Sequence, residues 1–126
     1  MRKGTIYKGM TENDIVAIDE VQGYIFDEIG VHKENNFWYA THLQTGVSLT
    51  PYKHENVGLT EALNEAIELM AMPEMKKVLS AILKGEYYKR YCEMRKILEN
   101  EHYQAYQELR RLNNETTVGK TVGKTV

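Results

Sequence analysis

Cysteine and proline are nearly missing from this chain of 126 residues, which holds one Cys, Cys92, and two Pro, Pro51 and Pro73. A single thiol cannot close an intramolecular disulfide, so the stapled scaffolds of small secreted proteins are excluded. No run approaches the roughly 18 consecutive apolar residues that a membrane-spanning helix needs. The start, MRKGTIYKGMTENDI, carries two early cations but no apolar stretch of the kind a secretory signal requires. The expected compartment is therefore the cytoplasm. A dominant charge is lacking as well: sixteen Lys+Arg against eighteen Asp+Glu leave a formal charge of −2. That is not the basic excess of a non-specific nucleic-acid coat.

What remains is the composition of one globular domain, 42% hydrophobic and 27% charged. Charge shifts along the chain. Residues 1–58 hold five Lys/Arg and eight Asp/Glu, whereas residues 86–126 hold eight and six. In the first half, Ile15–Ile18, Val21–Ile29, Asn36–Leu43 and Val47–Thr50 are rich in β-branched and aromatic residues and read as strands. Between the last two, Gln44-Thr45-Gly46 predicts a hairpin closed by a left-handed Gly46. Alternation in Asn36–Leu43 puts Phe37, Tyr39, Thr41 and Leu43 on one face and Trp38, Ala40 and His42 on the other.

From Leu59 the apolar period becomes helical, with Leu59, Ala62, Leu63, Ala66, Ile67 and Met70 on one stripe and Thr60 as the expected N-cap. Pro73 ends this helix and opens the next, whose apolar face is Met75, Val78, Leu79, Ile82 and Leu83 and whose expected C-terminal cap is Gly85. The expected fold is α+β: an N-terminal antiparallel sheet of three to four strands over about residues 15–50, then helices over 60–72, 73–84 and 86–113. Residues 1–113 are read as the domain. The tail 114–126, with its tandem TVGK repeat, is read as a flexible low-complexity appendage, native or added.

The third helix carries a seam at intervals of three and four: Tyr87, Tyr91, Met94, Leu98, His102, Ala105, Leu109 and Leu112. Its partner is either the two shorter helices or the same helix of a second subunit. In the second case the dimer seam is Tyr91, Met94, Leu98, Ala105, Leu109 and Leu112.

Chemistry-bearing patterns are sparse. Gly119-Lys120-Thr121 and Gly123-Lys124-Thr125 end like phosphate-binding loops, but Asn114 and Val118 stand where the upstream glycine belongs. No cofactor is expected. His32, His42, His54 and His102 lie ten or more residues apart and give no metal-ligand spacing. His32 and His54 read as solvated loop residues, His42 as a strand residue beside the hairpin, and His102 as a polar seam position. Cys92, beside the seam, reads as a small buried hydrophobe.

The most biased stretch runs from Glu12 to Glu28, where Glu12, Asp14, Asp19, Glu20, Asp27 and Glu28 occur without one Lys or Arg. A solvated sheet edge accounts for this pattern. A docking surface for a basic partner, such as the nucleic-acid groove of an enzyme, accounts for it too. Paired catalytic carboxylates fit less well, because Asp27 and Glu28, adjacent in a strand, would point to opposite faces. A competing surface is the mixture of aromatic and basic residues at Tyr88, Lys89, Arg90, Arg95 and Lys96, which suits nucleic acid in composition. On a helical wheel, however, its cations do not form one stripe. A small metal-dependent hydrolase would need His42, His54 and nearby carboxylates to converge.

Phe37-Trp38-Tyr39-Ala40-Thr41-His42-Leu43-Gln44-Thr45-Gly46-Val47-Ser48-Leu49, followed by Leu59-Thr60-Glu61-Ala62, resembles small accessory proteins of phages and mobile elements of Gram-positive bacteria. The resemblance covers about a third of the chain and carries over no functional residues. It implies a binding role, such as anti-CRISPR-type inhibition of a host defence nuclease, and not an enzyme. The expected function is a protein-binding inhibitor or adaptor.

Overall fold

A computed structural model describes residues 1–50 and 58–121, with side chains as far as Leu112. Four strands, β1 (Arg2–Glu12), β2 (Ile15–Phe26), β3 (Ile29–Glu34) and β4 (Phe37–His42), precede three helices, α1 (Leu59–Ala71), α2 (Pro73–Leu83) and α3 (Glu86–Thr121). The strands form one antiparallel sheet in the order β1-β2-β3-β4. The α+β architecture expected from the segregation of strand and helix signals is the one observed.

Two-residue turns build this meander. Asn13 and Asp14 (φ 51° and 64°) join β1 to β2, and Asn35 and Asn36 (φ 50° and 70°) join β3 to β4. Both central residues of such a turn sit in the left-handed region, which matches the twist of the flanking strands. Asn and Asp enter that region at lower cost than other residues with a β-carbon. Asp27 (φ 53°) and Glu28 form the β2–β3 turn, so they are not adjacent strand residues as the sequence suggested.

Other boundaries also move. Ile15–Ile18 and the first part of Val21–Ile29, as far as Phe26, are one strand running through Asp19 and Glu20, and Ile29 opens β3. β1 and β3 were not anticipated. Val47–Thr50 is not a strand; Ser48 makes a single bridge to Thr41. The hairpin itself closes as expected, with Gly46 at φ 72° and the Gly46 amide donating to the His42 carbonyl at 2.7 Å.

Pro73 occupies the first turn of α2, as predicted. The α1 N-cap is Gly58 rather than Thr60, and α2 ends on Lys84 in the right-handed helical region, so Gly85 is not a left-handed cap. The helical backbone of α3 continues past Asn113 to Thr121.

The register assigns each side chain to a face. Ile29, Val31 and Ala40 share one face and pack with Leu49 and with Leu63 and Ala66 of α1. Tyr24, Trp38, Leu69 and Met75 border this core. Full burial of such aliphatic side chains is worth roughly 1.5–3 kcal/mol each, which fixes α1 on the β3–β4 half of the sheet. On the other face Ile6, 0% exposed, lies over Gly30 and Gly23. A β-carbon on Gly30 would meet Ile6 Cγ1 at 2.7 Å, so the close approach requires glycine there.

The sheet curls, because β1 returns towards the far strands. The Gly9 amide donates to the Gly46 carbonyl at 2.8 Å, and Lys8 Nζ lies 3.6 Å from Glu34 Oε2 on β3 and 5.5 Å from the Tyr39 ring on β4. The first turns of α3 lock this closure. Tyr87 donates its hydroxyl to the Thr45 carbonyl at 2.8 Å, and Tyr91, 0% exposed, donates to the Tyr7 carbonyl at 2.7 Å. Tyr91 is thus spent within the chain and is not part of a dimer seam.

The chain divides into two units, Met1–Met94 and Arg95–Val126, with the boundary inside α3. Among the described residues no helix is long and apolar enough to cross a membrane.

Candidate functional site

The six carboxylates of the Glu12–Glu28 stretch follow β2 from end to end. Glu12 closes β1, Asp14 sits in the β1–β2 turn, Asp19 and Glu20 are mid-strand, and Asp27 and Glu28 form the opposite turn. Asp14 and Asp27 are 13 steps apart, a path of at most ~43 Å along the strand at ~3.3 Å per residue. Asp19 faces Lys8 and Glu20 faces Tyr7, which places these two acids on opposite faces of the sheet. The stretch is therefore a long acidic line with a cluster at each end. Glu12, Asp14, Glu20, Asp27 and Glu28 are exposed and Asp19 is half-buried.

One end of the line opens on a cleft of about 390 Å³ lined by Thr11, Asp14, Val16, Glu86, Tyr87 and Arg90. Arg90 spans it, donating to the Asp14 carbonyl at 2.7 Å and lying 3.5 Å from Glu86 Oε1. The Asp14 carboxylate is left outside that pair. Glu86 joins Asp14 only through the fold, and at 72 positions along the chain no local pattern announces it.

The basic segment is partly consumed by internal pairs. Arg90 is held as described, and Arg95 Nε pairs with Glu99 Oε1 at 2.7 Å. Tyr88 stacks on Tyr91 with ring centroids 6.4 Å apart. Lys89 and Lys96 are exposed. Cys92 is also exposed, because it lies off the arc of α3 that buries Tyr91; the expectation of a buried thiol fails.

Two histidines are buried in strands. His32 is 2% exposed on β3, not solvated in a loop, since it faces the inside of the curl beneath β1. Its ring stacks on Tyr39 at 5.5 Å and its Nε2 lies 3.3 Å from Glu34 Oε2, while its buried Nδ1 has no hydrogen-bond partner among the described residues. Burial pushes its pKa below the usual histidine value, and the hydrogen bond to Glu34 opposes that shift only in part. The same bond, with the Lys8 charge, holds the Glu34 carboxyl below its usual value. His42 ends β4 next to the hairpin, as anticipated. Its Nδ1 is 2.7 Å from Thr45 Oγ1, and burial lowers its pKa against the opposing charge of Glu28.

These contacts anchor His42 in the turn. His54, the other histidine required for a hydrolase site, lies outside the described residues. Among the described residues no group of three or more His, Cys, Asp or Glu side chains is placed to hold a metal ion. The Tyr87 phenol, pushed up to about 12 by burial and then by Tyr91 and Cys92, keeps its proton and remains a donor to Thr45.

Comparison of the chain with protein-family models, with curated proteins and with solved structures gives no match.

Proposed function

We propose that this chain is a non-enzymatic protein-binding module, an inhibitor or adaptor that docks through its acidic line on a basic partner. The observation that carries the reading is that Glu12, Asp14, Asp19, Asp27 and Glu28 enter no ion pair among the described residues. Even Lys8, directly opposite Asp19 in the register, is 3.6 Å from Glu34 instead. Uncompensated surface charge of one sign steers and orients a partner of the other sign.

The spacing adds a constraint. The two ends of the line are separated by the whole of β2, 12 residues and at most ~40 Å at ~3.3 Å per residue, well beyond the ~8–10 Å screening length at physiological salt, so they act as separate docking points. A partner that engages both must present basic groups over that span, as the nucleic-acid groove of an enzyme does. The resemblance to phage and mobile-element accessory proteins favours a defence nuclease as that enzyme.

The test is affinity capture from the native host with mass spectrometry, using wild type, Glu12→Lys/Asp14→Lys and Asp27→Lys/Glu28→Lys. The expected result is a salt-sensitive partner recovered by wild type and lost or depleted with each variant. Equal recovery by all three proteins would remove the acidic line as the binding surface.

A further inference from the structure

The unit Arg95–Val126 carries an apolar strip that the proposed acidic docking does not use. At 100° per residue, Leu98, His102, Ala105, Leu109 and Leu112 fall within an arc of about 80°, with Ile97 and Tyr106 flanking it on either side. Leu109 is 61% exposed, Tyr106 57%, Ile97 54% and Leu112 44%. Two ion pairs of this stretch, Arg95 with Glu99 and Glu108 with Arg111, lie outside the arc, which itself holds no Asp, Glu, Lys or Arg.

We propose that this strip pairs with the same strip of a second copy of the chain. A basic partner finds no opposite charge within the arc, whereas an identical helix offers the same period, the same length and, within that arc, no like charges, since Glu101 and Glu108 fall between it and Ile97. The area is sufficient for such pairing. From Ile97 to Leu112 the helix rises about 22 Å. Six apolar side chains per copy, with Leu98 half-buried and Ala105 short among them, at roughly 40–100 Å² each, give on the order of 500–1,200 Å² for the pair, which reaches the ~1,000 Å² of a specific interface. An interface at this low end of the size range fits a dimer that dissociates on dilution rather than an obligate one.

The test is sedimentation equilibrium of the full chain between about 1 and 500 µM, a range wide enough to follow such dissociation. The expected mass rises from 14.6 kDa to twice that value. Leu109→Glu, which places a charge in the strip, should weaken pairing by at least about tenfold. Tyr103→Glu, on the opposite side of the helix and 59% exposed, should leave it within about twofold. Trp38 fluorescence and circular dichroism verify that each variant is folded, and Leu112→Glu replaces Leu109→Glu should that variant unfold. A mass of 14.6 kDa at the highest concentration overturns the proposal. So does a larger assembly of three or more copies, or a folded strip variant that pairs as tightly as wild type.

Discussion

Replacing Gly46 by alanine perturbs the point where hairpin, β1 and α3 meet. The added β-carbon would lie 2.4 Å from Tyr91 Cε1, 2.8 Å from Tyr91 Cζ and 2.8 Å from the Gly9 backbone nitrogen. None of these atoms has room to retreat. Tyr91 is fully buried and bonded to the Tyr7 carbonyl, and the Gly9 amide is engaged by the carbonyl of Gly46 itself. The φ of 72° adds a penalty of about 1 kcal/mol for a residue with a β-carbon. Overpacking of a closed site adds about 1–3 kcal/mol. Together these give roughly 2–4 kcal/mol, a large share of the ~5–15 kcal/mol that holds a domain folded. Urea unfolding followed by Trp38 fluorescence should show the midpoint falling by about 0.7–4 M, given slopes of ~1–3 kcal/mol/M. Gly85→Ala is the matched control, since its β-carbon would meet nothing closer than 3.6 Å and its φ is not positive. It should hold stability or raise it by about 0.4–1 kcal/mol. A Gly46→Ala midpoint indistinguishable from wild type, or an equal loss in Gly85→Ala, would refute the closure described here.

Tyr91→Phe removes the hydroxyl that donates to the Tyr7 carbonyl while keeping the ring, and should lower unfolding stability by about 1–2 kcal/mol with the near-ultraviolet spectrum retained. Acid should destabilise the fold through His32 and His42, whose pKa values are both lowered by burial. Below the unfolded value of about 6.5 the unfolded chain takes up protons that the folded chain still refuses, so stability is complete above that pH and falls as pH drops towards the folded values. Unfolding free energies should decline between pH 7.5 and 5.5 with a slope no steeper than about 2.7 kcal/mol per pH unit for two groups, and a flat profile would contradict their burial as neutral rings.

The helical half was legible because its punctuation is local. Pro73 removes one amide and fits a first helical turn, and both effects act within a few residues. β1 escaped notice because Gly4, Lys8 and Gly9 interrupt its apolar alternation; Gly9 fits closely beneath Tyr87 and Tyr91, residues 78 and 82 positions away. β3 was hidden in the same manner. His32, Lys33 and Glu34 read as a polar loop until β1 folds over His32. The signal that would have found both strands is the pair of dipeptides Asn13-Asp14 and Asn35-Asn36, which suit two-residue turns without glycine. The acidic residues were visible as composition. Their separation into two ends was not, because it depends on Asp19 and Glu20 lying inside one unbroken strand.

The tyrosine bonds from α3 to the sheet cross 42 and 84 residues of chain. During synthesis at about 5–20 residues per second, Tyr87 follows Thr45 by roughly two to eight seconds, whereas a hairpin forms in microseconds. The Gly9 and Gly46 backbone is therefore made seconds before Tyr87 and Tyr91, the two side chains that cover it in the finished fold.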